Sequence, residues 1–378
     1  MIREHTGPLR RARCLFLCWL GGRLVFHNYA RRLTVSARSV TCEVLDFFDD
    51  WRTSQDAIAR FGDYTPRSVR STLSQLVEQG LLVTKGSPEA ALDSRIAKEW
   101  SDWLPAGSFH FSTKDARYVR GNWSFDRLKS LLPNTPQPKI FKTVRGAKKL
   151  LPLSTFPDSE FVRVLMARKT HRKFSKKKVT LENVSDLLSL VWGVTGYLHS
   201  PIFGELLHKT SPSGGARHPG EVYLMALRVK GLRAGLYHYH PGQHHLKTIS
   251  TNATRDRAWL YCARQGYAKN AAALFLMTAV FPRTMWKYRH ARAYRVVLLD
   301  AGHLCQTFCL VATWLGLAPF CTAALKDTLI EEDLGIDGIR ESVLYVAGVG
   351  LPATSARARR QFSRSARRRA EGPNKDEA

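Results

Sequence analysis

A pair of adjacent glycines precedes a strand-like apolar run near the middle of the chain. Residues 211–219 read Ser-Pro-Ser-Gly-Gly-Ala-Arg-His-Pro, and residues 221–225 read Glu-Val-Tyr-Leu-Met. Glycine takes positive φ without steric penalty and lets a backbone approach a flat or anionic ligand closely. The chain must therefore form a tight corner with few side chains here, which is either an ordinary turn or one wall of a ligand site.

A cationic segment precedes this corner in the chain. Residues 168–174 read Arg-Lys-Thr-His-Arg-Lys-Phe. In an extended backbone Arg168, Thr170 and Arg172 share one side, and the planar guanidinium fork binds phosphate bidentately. Basic heptapeptides are also typical of solvated surfaces and nucleic-acid patches. Taken together with the glycine corner, the segment predicts a phosphorylated cofactor.

The net charge of the chain is strongly positive. Its 378 residues suffice for about two or three domains, and a formal charge of +27 favours nucleic acid, an anionic membrane or an acidic peptide as partner. Residues 1–38 contribute +7 (eight arginines, one glutamate) and residues 353–378 contribute +5 (seven arginines and one lysine, three acids). Because nearly half of the charge lies in the two ends, nucleic acid is disfavoured. The tail 353–378 has few apolar residues and is predicted to be disordered.

The cysteines and histidines show no metal-binding pattern. Seven scattered cysteines without a Cys-x-x-Cys pair favour a reducing cytoplasm. Cys305 and Cys309 lie in an apolar run, where free thiols behave as small hydrophobic groups. Residues 235–246 alternate as a hairpin with a Pro-Gly turn, and no cysteine or carboxylate accompanies their histidines. We therefore expect no metal site.

Two apolar segments resemble membrane signals but are better explained otherwise. Residues 14–20 are followed by a Gly-Gly pair and predict a hairpin rather than a signal peptide. Residues 304–325 are interrupted by Gly316 and Pro319, which predicts a buried helix followed by a short strand. No transmembrane segment is predicted.

The amino-terminal part has the pattern of a small winged-helix-like domain. Residues 40–85 predict three helices and a strand, and with the preceding hairpin they form a module over 1–85. Its third helix carries Arg67 and Arg70. Such a module reads DNA with that helix, binds a peptide beside its wing, or serves only as a scaffold.

The rest of the chain divides into a connector and a larger domain. Residues 86–160 are rich in proline, carry Trp100 and Trp103 among polar residues, and are predicted to form an extended connector. Helices are predicted over residues 161–167 and 181–191, within a domain spanning 161–352.

Six motifs follow one another in this domain. They are Arg168–Arg172, Ser211–Ala216 with Pro219, Glu221 and Tyr223, Gly235–Tyr239, Lys287-Tyr288 with Tyr294-Arg295, Asp300–His303 with Gln306, and Gly348–Pro352. In this order they resemble the nitroreductase-like FMN flavoproteins, and among them the SagB-type dehydrogenases of ribosomal peptide maturation. The resemblance covers about half of the chain.

The resemblance implies an α+β fold, with a nitroreductase-like mixed sheet flanked by helices and FMN held at the interface of a homodimer. Arg168, Thr170 and Arg172 would hold the phosphate and ribityl chain. Cofactor contacts would also come from Ser211, Pro212, Ser213, Gly214, Gly215 and Gly348. The family usually has serine at the position of Thr170, and it tends to have glycine after Lys-Tyr, where this chain has Arg289-His290. The second departure places extra charge beside Lys287-Tyr288, so it affects the identity of the substrate more than flavin binding.

The implied reaction oxidises a peptidyl thiazoline or oxazoline ring to a thiazole or oxazole. A proton leaves one ring carbon and a hydride leaves the other toward the flavin. Lys287 is the candidate for handling the proton, and Tyr288 for positioning the ring or relaying the proton. The implied partners are a precursor peptide and a cyclodehydratase complex. A general nitroreductase or flavin reductase, and a flavin-sensing DNA-binding regulator, are the alternatives.

Overall fold

The computed structural model describes residues 7–116 and 156–353, with a few positions between them (118, 129–130, 140–142, 149 and 151). The predicted tail from residue 354 onward and most of the connector after residue 116 therefore lie outside the described residues.

The amino-terminal elements follow the predicted pattern. They are the strands β1 (Leu9–Arg11), β2 (Leu15–Leu20), β3 (Arg23–Asn28) and β4 (Leu33–Ala37), the helices α1 (Val40–Phe47), α2 (Ser54–Arg60) and α3 (Pro66–Glu78), and the strand β5 (Leu82–Thr84). The expected hairpin is β2–β3, and β4 extends it to three strands. Strand β5 pairs with β1, and the three helices close over one apolar core that contains Phe26, Phe48 and Leu73. The helices and strand expected of the module are confirmed, while its domain boundary and its function stay predictions.

The segment after this module is helical, which corrects the prediction of an extended connector. Helices α4 (Pro88–Glu99) and α5 (Leu104–Thr113) occupy its described part. Pro88 and Pro105 stand in the first turns of these helices, where proline lacks only an N–H that has no partner in any case. Trp100 and Trp103 between the helices are almost fully buried, so the segment is packed into a core and does not lie extended across a surface.

An aromatic cluster joins this segment to the larger domain. Trp100 lies edge-on to Phe281 and Tyr294, and its indole N–H donates to the backbone oxygen of Ile339 at 3.0 Å. His110 stacks on Trp100 with 5.1 Å between ring centroids, and its Nδ1 lies 2.9 Å from the Tyr294 hydroxyl. Residues distant in sequence thus share one buried core.

The burial of His110 predicts a pH-dependent stability. Burial lowers the pKa of His110 from 6.5 to about 3, so the folded state favours the neutral ring. A depressed histidine pKa stabilises the fold above the unfolded pKa, and that contribution is lost as the pH falls from about 6.5 toward 3. Between pH 7.5 and 5.5, the free energy of unfolding of the wild-type protein should decrease by about 1.4 kcal/mol more than that of His110→Phe. Urea denaturation at the two pH values measures both decreases. Equal losses in both proteins would contradict this role.

The larger domain contains both helices and strands, with six strands in succession between its second and third α-helices. Its elements are α6 (Glu160–Ala167), β6 (Val179–Thr180), α7 (Leu181–Trp192), β7 (Gly196–Ser200), β8 (Gly204–His208), β9 (Gly220–Ala226), β10 (Val229–Lys230), β11 (Gly235–His240), β12 (His245–Ser250), α8 (Arg255–Tyr261), β13 (Ala273–Val280), α9 (Phe281–Met285), α10 (Ala293–Trp314), β14 (Ala318–Thr322), α11 (Asp327–Leu334) and β15 (Glu341–Gly350). The predicted helices, the hairpin β11–β12 and the strand after Gly316 are confirmed.

A six-stranded sheet in the order β12-β11-β9-β13-β15-β14 forms the centre of this domain. Helices α7 and α10 cover one face, where Trp192 and Phe308 pack on Phe275. Helices α8 and α11 cover the other face, with Tyr261 and Ile330 in the core. The α+β class with a helix-flanked sheet is confirmed. The six strands pair antiparallel, and within the described residues parallel pairing joins only the short strands β6 and β10.

Helix α10 is the one described helix that is long and apolar enough to cross a membrane by length and composition. It packs on the sheet through Leu304, Cys305, Phe308 and Ala312, which are buried in the core. A core helix meets the same criteria, so its length and composition do not distinguish the two settings.

Candidate functional site

The glycine corner forms a short 3₁₀ turn that is held by helix α10. Gly215 has φ 62° and ψ 24°, in the left-handed region where glycine carries no penalty. The Ser213 hydroxyl donates to Asp300 Oδ2 at 2.5 Å, and the backbone N–H of Gly214 points to Oδ1 of the same carboxylate at 3.3 Å. Asp300 is buried, which raises its pKa, while these hydrogen bonds oppose the rise. A buried carboxylate therefore fixes the corner.

Ser213 connects both sides of the corner. Its hydroxyl donates to Asp300 and also accepts the backbone N–H of His218 at 2.9 Å. Removing that oxygen leaves the partly buried N–H without its acceptor and the buried carboxylate with one bond fewer. The corner thus depends on one side-chain oxygen.

Ser213→Ala is expected to reduce the free energy of unfolding by about 1–3 kcal/mol, because it leaves these groups unsatisfied. Chemical denaturation measures the change. Ser189→Ala, on the exposed side of α7, is the matched control and should stay within about 0.5 kcal/mol of wild type. Equal effects in the two variants would show that the Ser213 bonds do not stabilise the corner.

Lys287 and Tyr288 converge on Gly215. They follow α9, and both backbone N–H groups donate to the Thr284 oxygen, which continues the helical turn. A Cβ placed on Gly215 would lie 2.3 Å from the Tyr288 hydroxyl oxygen and 2.9 Å from Lys287 Nζ. The predicted reactive pair and the predicted glycine corner are therefore direct neighbours, and the missing side chain is what makes room for the pair.

The segment that contains α4 and α5 contacts this pair through the backbone of Tyr288. The Trp103 indole N–H donates to the backbone oxygen of Tyr288 at 2.8 Å. Arg289, one of the two departures from the family pattern, directs its guanidinium to Asp102 at 3.3 Å. Its charge is therefore partly matched by a residue of the amino-terminal half.

An aromatic rim borders the pair, and sequence reasoning missed it. Lys287 Nζ lies 4.3 Å from the ring centroid of Phe203, at the tip of the β7–β8 hairpin. Phe203 is edge-on to Trp286, whose ring also carries the Arg217 guanidinium at 4.8 Å. Phe203 and Trp286 are both more than one-third exposed. Such a rim suits a flat ring substrate, but isolated aromatics in loops carry no sequence signal for it.

The cationic segment runs along the edge of the sheet beside β14. The backbone N–H of His171 donates to the Pro319 oxygen at 2.9 Å, and Phe174 forms a bridge to Pro352. Within the described part of the chain, neither Arg168 nor Arg172 has a carboxylate within ion-pair distance. Guanidinium groups without acidic partners and a hydroxyl are donors of the kind that bind the phosphate of FMN, and the Arg172 guanidinium also lies 5.8 Å from the ring centroid of Tyr267.

The glycine corner and helix α6, which leads into the cationic segment, both lie against α10 but at different places. The Ser211 hydroxyl is 2.7 Å from that of Thr307, whereas Glu160 of α6, just before the cationic segment, accepts from the Trp314 indole at 3.0 Å. Pro212 is exposed at the corner. No direct contact joins the two predicted groups in the described chain.

Gly348 lies inside β15 rather than at the corner. A Cβ there would meet the Phe320 ring at 2.4 Å and Leu274 at 2.8 Å. Close packing between β14, β15 and β13 therefore explains the glycine without a ligand, and its predicted cofactor contact stays a prediction.

Comparisons with known proteins agree with these features. The model of the nitroreductase family matches residues 165–351. The trifolitoxin-processing protein TfxB of Rhizobium leguminosarum bv. trifolii is 26% identical over 322 residues, which cover 79% of this chain and 85% of that protein. A protein of Methanocaldococcus jannaschii, MJ1384, whose name assigns it to the nitroreductases, is 31% identical over 51% of this chain and 93% of its own length. The microcin B17-processing protein McbC of Escherichia coli is 29% identical over 43% of this chain and 58% of its own length.

Proposed function

The chain belongs to the nitroreductase family and is an oxidoreductase, and on that premise we propose that it is an FMN-dependent dehydrogenase that oxidises peptidyl azoline rings to azoles. The substrate would be a ribosomally made precursor peptide bearing thiazoline or oxazoline rings. The observation that carries the proposal is the meeting of Lys287 and Tyr288 at Gly215.

The residues of the chain divide the work of this reaction. FMN, when bound, supplies the acceptor for the hydride that leaves the ring. Lys287 takes the proton from the neighbouring ring carbon, and the Tyr288 hydroxyl orients the ring beside it. Phe203 and Trp286 contact the flat heterocycle at the rim of the site. Arg168, Thr170 and Arg172 would hold the phosphate.

The peptide substrate is supported by relatives and by charge. TfxB and McbC are by name processing proteins of trifolitoxin and of microcin B17. The chain, including its amino-terminal module, has a formal net charge of +27. This positive charge favours an acidic leader segment in the precursor. A cyclodehydratase that makes the azoline ring, a homodimeric state and a cytoplasmic location complete the proposal.

A general nitroreductase is the second candidate, because MJ1384 matches this chain over a length little greater than that of the larger domain of this chain. The contact of Trp103 with Tyr288 argues for the first candidate, since it ties the additional amino-terminal half to the reactive pair. Rapid turnover of nitroaromatics with NAD(P)H, without azoline oxidation, would favour the second.

The test begins with the purified protein and FMN. We expect a yellow protein with flavin absorbance that removes two hydrogen atoms per ring from an azoline-containing peptide, followed by mass spectrometry. A protein that stays colourless after incubation with FMN would refute the proposal. Retained flavin without any azoline oxidation, in the presence of the cyclodehydratase, would refute the substrate class alone.

A further inference from the structure

Three cysteines from two separate elements meet in the core of the larger domain. Cys305 and Cys309 lie one turn apart on α10, and Cys321 lies on the edge strand β14. Their sulfur atoms are all within 4.8 Å of one another. Cys305 and Cys309 are buried, and Cys321 is partly buried. The chain thus presents three soft ligand atoms on one small, largely dry site.

Two polar groups accompany the partly buried thiol of Cys321 in this thiol cluster. The Tyr345 hydroxyl donates to Cys321 Sγ at 3.2 Å. Arg168 lies close enough for its positive charge to act on both Cys309 and Cys321. An ordinary patch of apolar thiols needs neither a hydroxyl donor nor a cation. Metal ligands, in contrast, are commonly held by a donor in the surrounding shell.

We propose that Cys305, Cys309 and Cys321 bind a thiophilic monovalent cation of the Cu(I) class in three-coordinate geometry. Thiolate ligands select soft metals, whereas Zn²⁺ is almost always four-coordinate in closed sites. Among the described residues no histidine or carboxylate belongs to the cluster as a fourth ligand. Three thiolates and one Cu(I) leave a net charge of −2, of which the single positive charge of Arg168 offsets a part.

The site shares Arg168 with the proposed phosphate site, but metal binding does not require the dehydrogenase reaction. None of its three ligands contacts Gly215, Lys287 or Tyr288, and binding is measured without flavin or substrate. Failure of the metal proposal and failure of the proposed function are therefore distinguishable.

The experiment is an anaerobic Cu(I) titration of the reduced full-length protein against the chromophoric chelator bicinchoninate. We expect one tightly bound Cu(I) per chain and a rise in melting temperature on binding. Cys321→Ser, at the partly buried ligand, should weaken binding by at least ~100-fold, and Tyr345→Phe by about 10-fold, the range of outer-shell substitutions. Cys18→Ser, at an exposed cysteine of β2, is the matched control and should bind as wild type does.

X-ray absorption of the wild-type protein gives a test that does not depend on a folded variant. Three sulfur neighbours around copper support the proposal, and a nitrogen or oxygen neighbour overturns it. Absence of stoichiometric Cu(I) binding, unchanged affinity in Cys321→Ser, or preferential four-coordinate zinc would also overturn it. A disulfide within the cluster in the protein isolated without added oxidant would show a redox pair instead of a metal site.

Discussion

Lys287→Ala is expected to reduce azoline oxidation by about 10²–10⁴-fold, the usual contribution of a positioned general base. Alanine removes the Nζ atom beside Gly215 and leaves the neighbouring Tyr288 hydroxyl and the contact of Trp103 with the Tyr288 backbone in place. The cationic segment that is predicted to hold the phosphate lies beside β14 and not at the glycine corner, so flavin content should not change. Single-turnover oxidation of an azoline peptide, with flavin absorbance measured on the same sample, tests both expectations.

The matched control for this variant is Lys247→Ala, which removes the same group from the exposed outer strand β12. It should oxidise the peptide at the wild-type rate. If Lys287→Ala retained full activity, Lys287 would line the site without acting as the general base. Loss of flavin together with activity would instead show that the lysine holds the cofactor.

Local pattern was sufficient to predict most of the elements near the site. The i, i+3, i+4 spacing of apolar residues predicted α7, and Gly316 after a long apolar run predicted the end of α10 and the strand that follows. These predictions succeed because each depends on residues close in sequence. The Pro-Ser-Gly-Gly corner is of the same kind, since positive φ at Gly215 is a local requirement.

Contacts between distant segments were beyond the reach of the sequence. Trp100 and Trp103 stood among polar residues and prolines, and only the structure shows that their partners are Phe281 and Tyr294. In the same way Cys321 joins Cys305 and Cys309 only because β14 returns alongside α10. Spacing along the chain carries no information about such pairings.

The structure also separates the roles of the two glycines at the corner. A Cβ on Gly214 would lie 2.2 Å from Val296 of α10, so a bulky residue there displaces the helix that anchors the corner. Gly214 therefore has a packing role besides its predicted contact with the flavin, and a substitution there mixes the two effects. A Cβ on Gly215 points at Lys287 and Tyr288 instead, which makes Gly215 the sharper probe of the reaction.

Gly215→Ala is expected to lower azoline oxidation by at least ~10²-fold, because its methyl group occupies the space of the Tyr288 hydroxyl and pushes the pair from its position. The left-handed backbone alone costs about 1–2 kcal/mol of stability for a residue with a Cβ. Gly335→Ala separates the two effects, since Gly335 has nearly the same backbone (φ 70°, ψ 29°) and a methyl group placed on it meets nothing within 4 Å. Both variants should lose similar stability in urea denaturation, and only Gly215→Ala should lose activity. Equal loss of activity in the two variants would mean that strain, and not the meeting of Gly215 with the reactive pair, limits the enzyme.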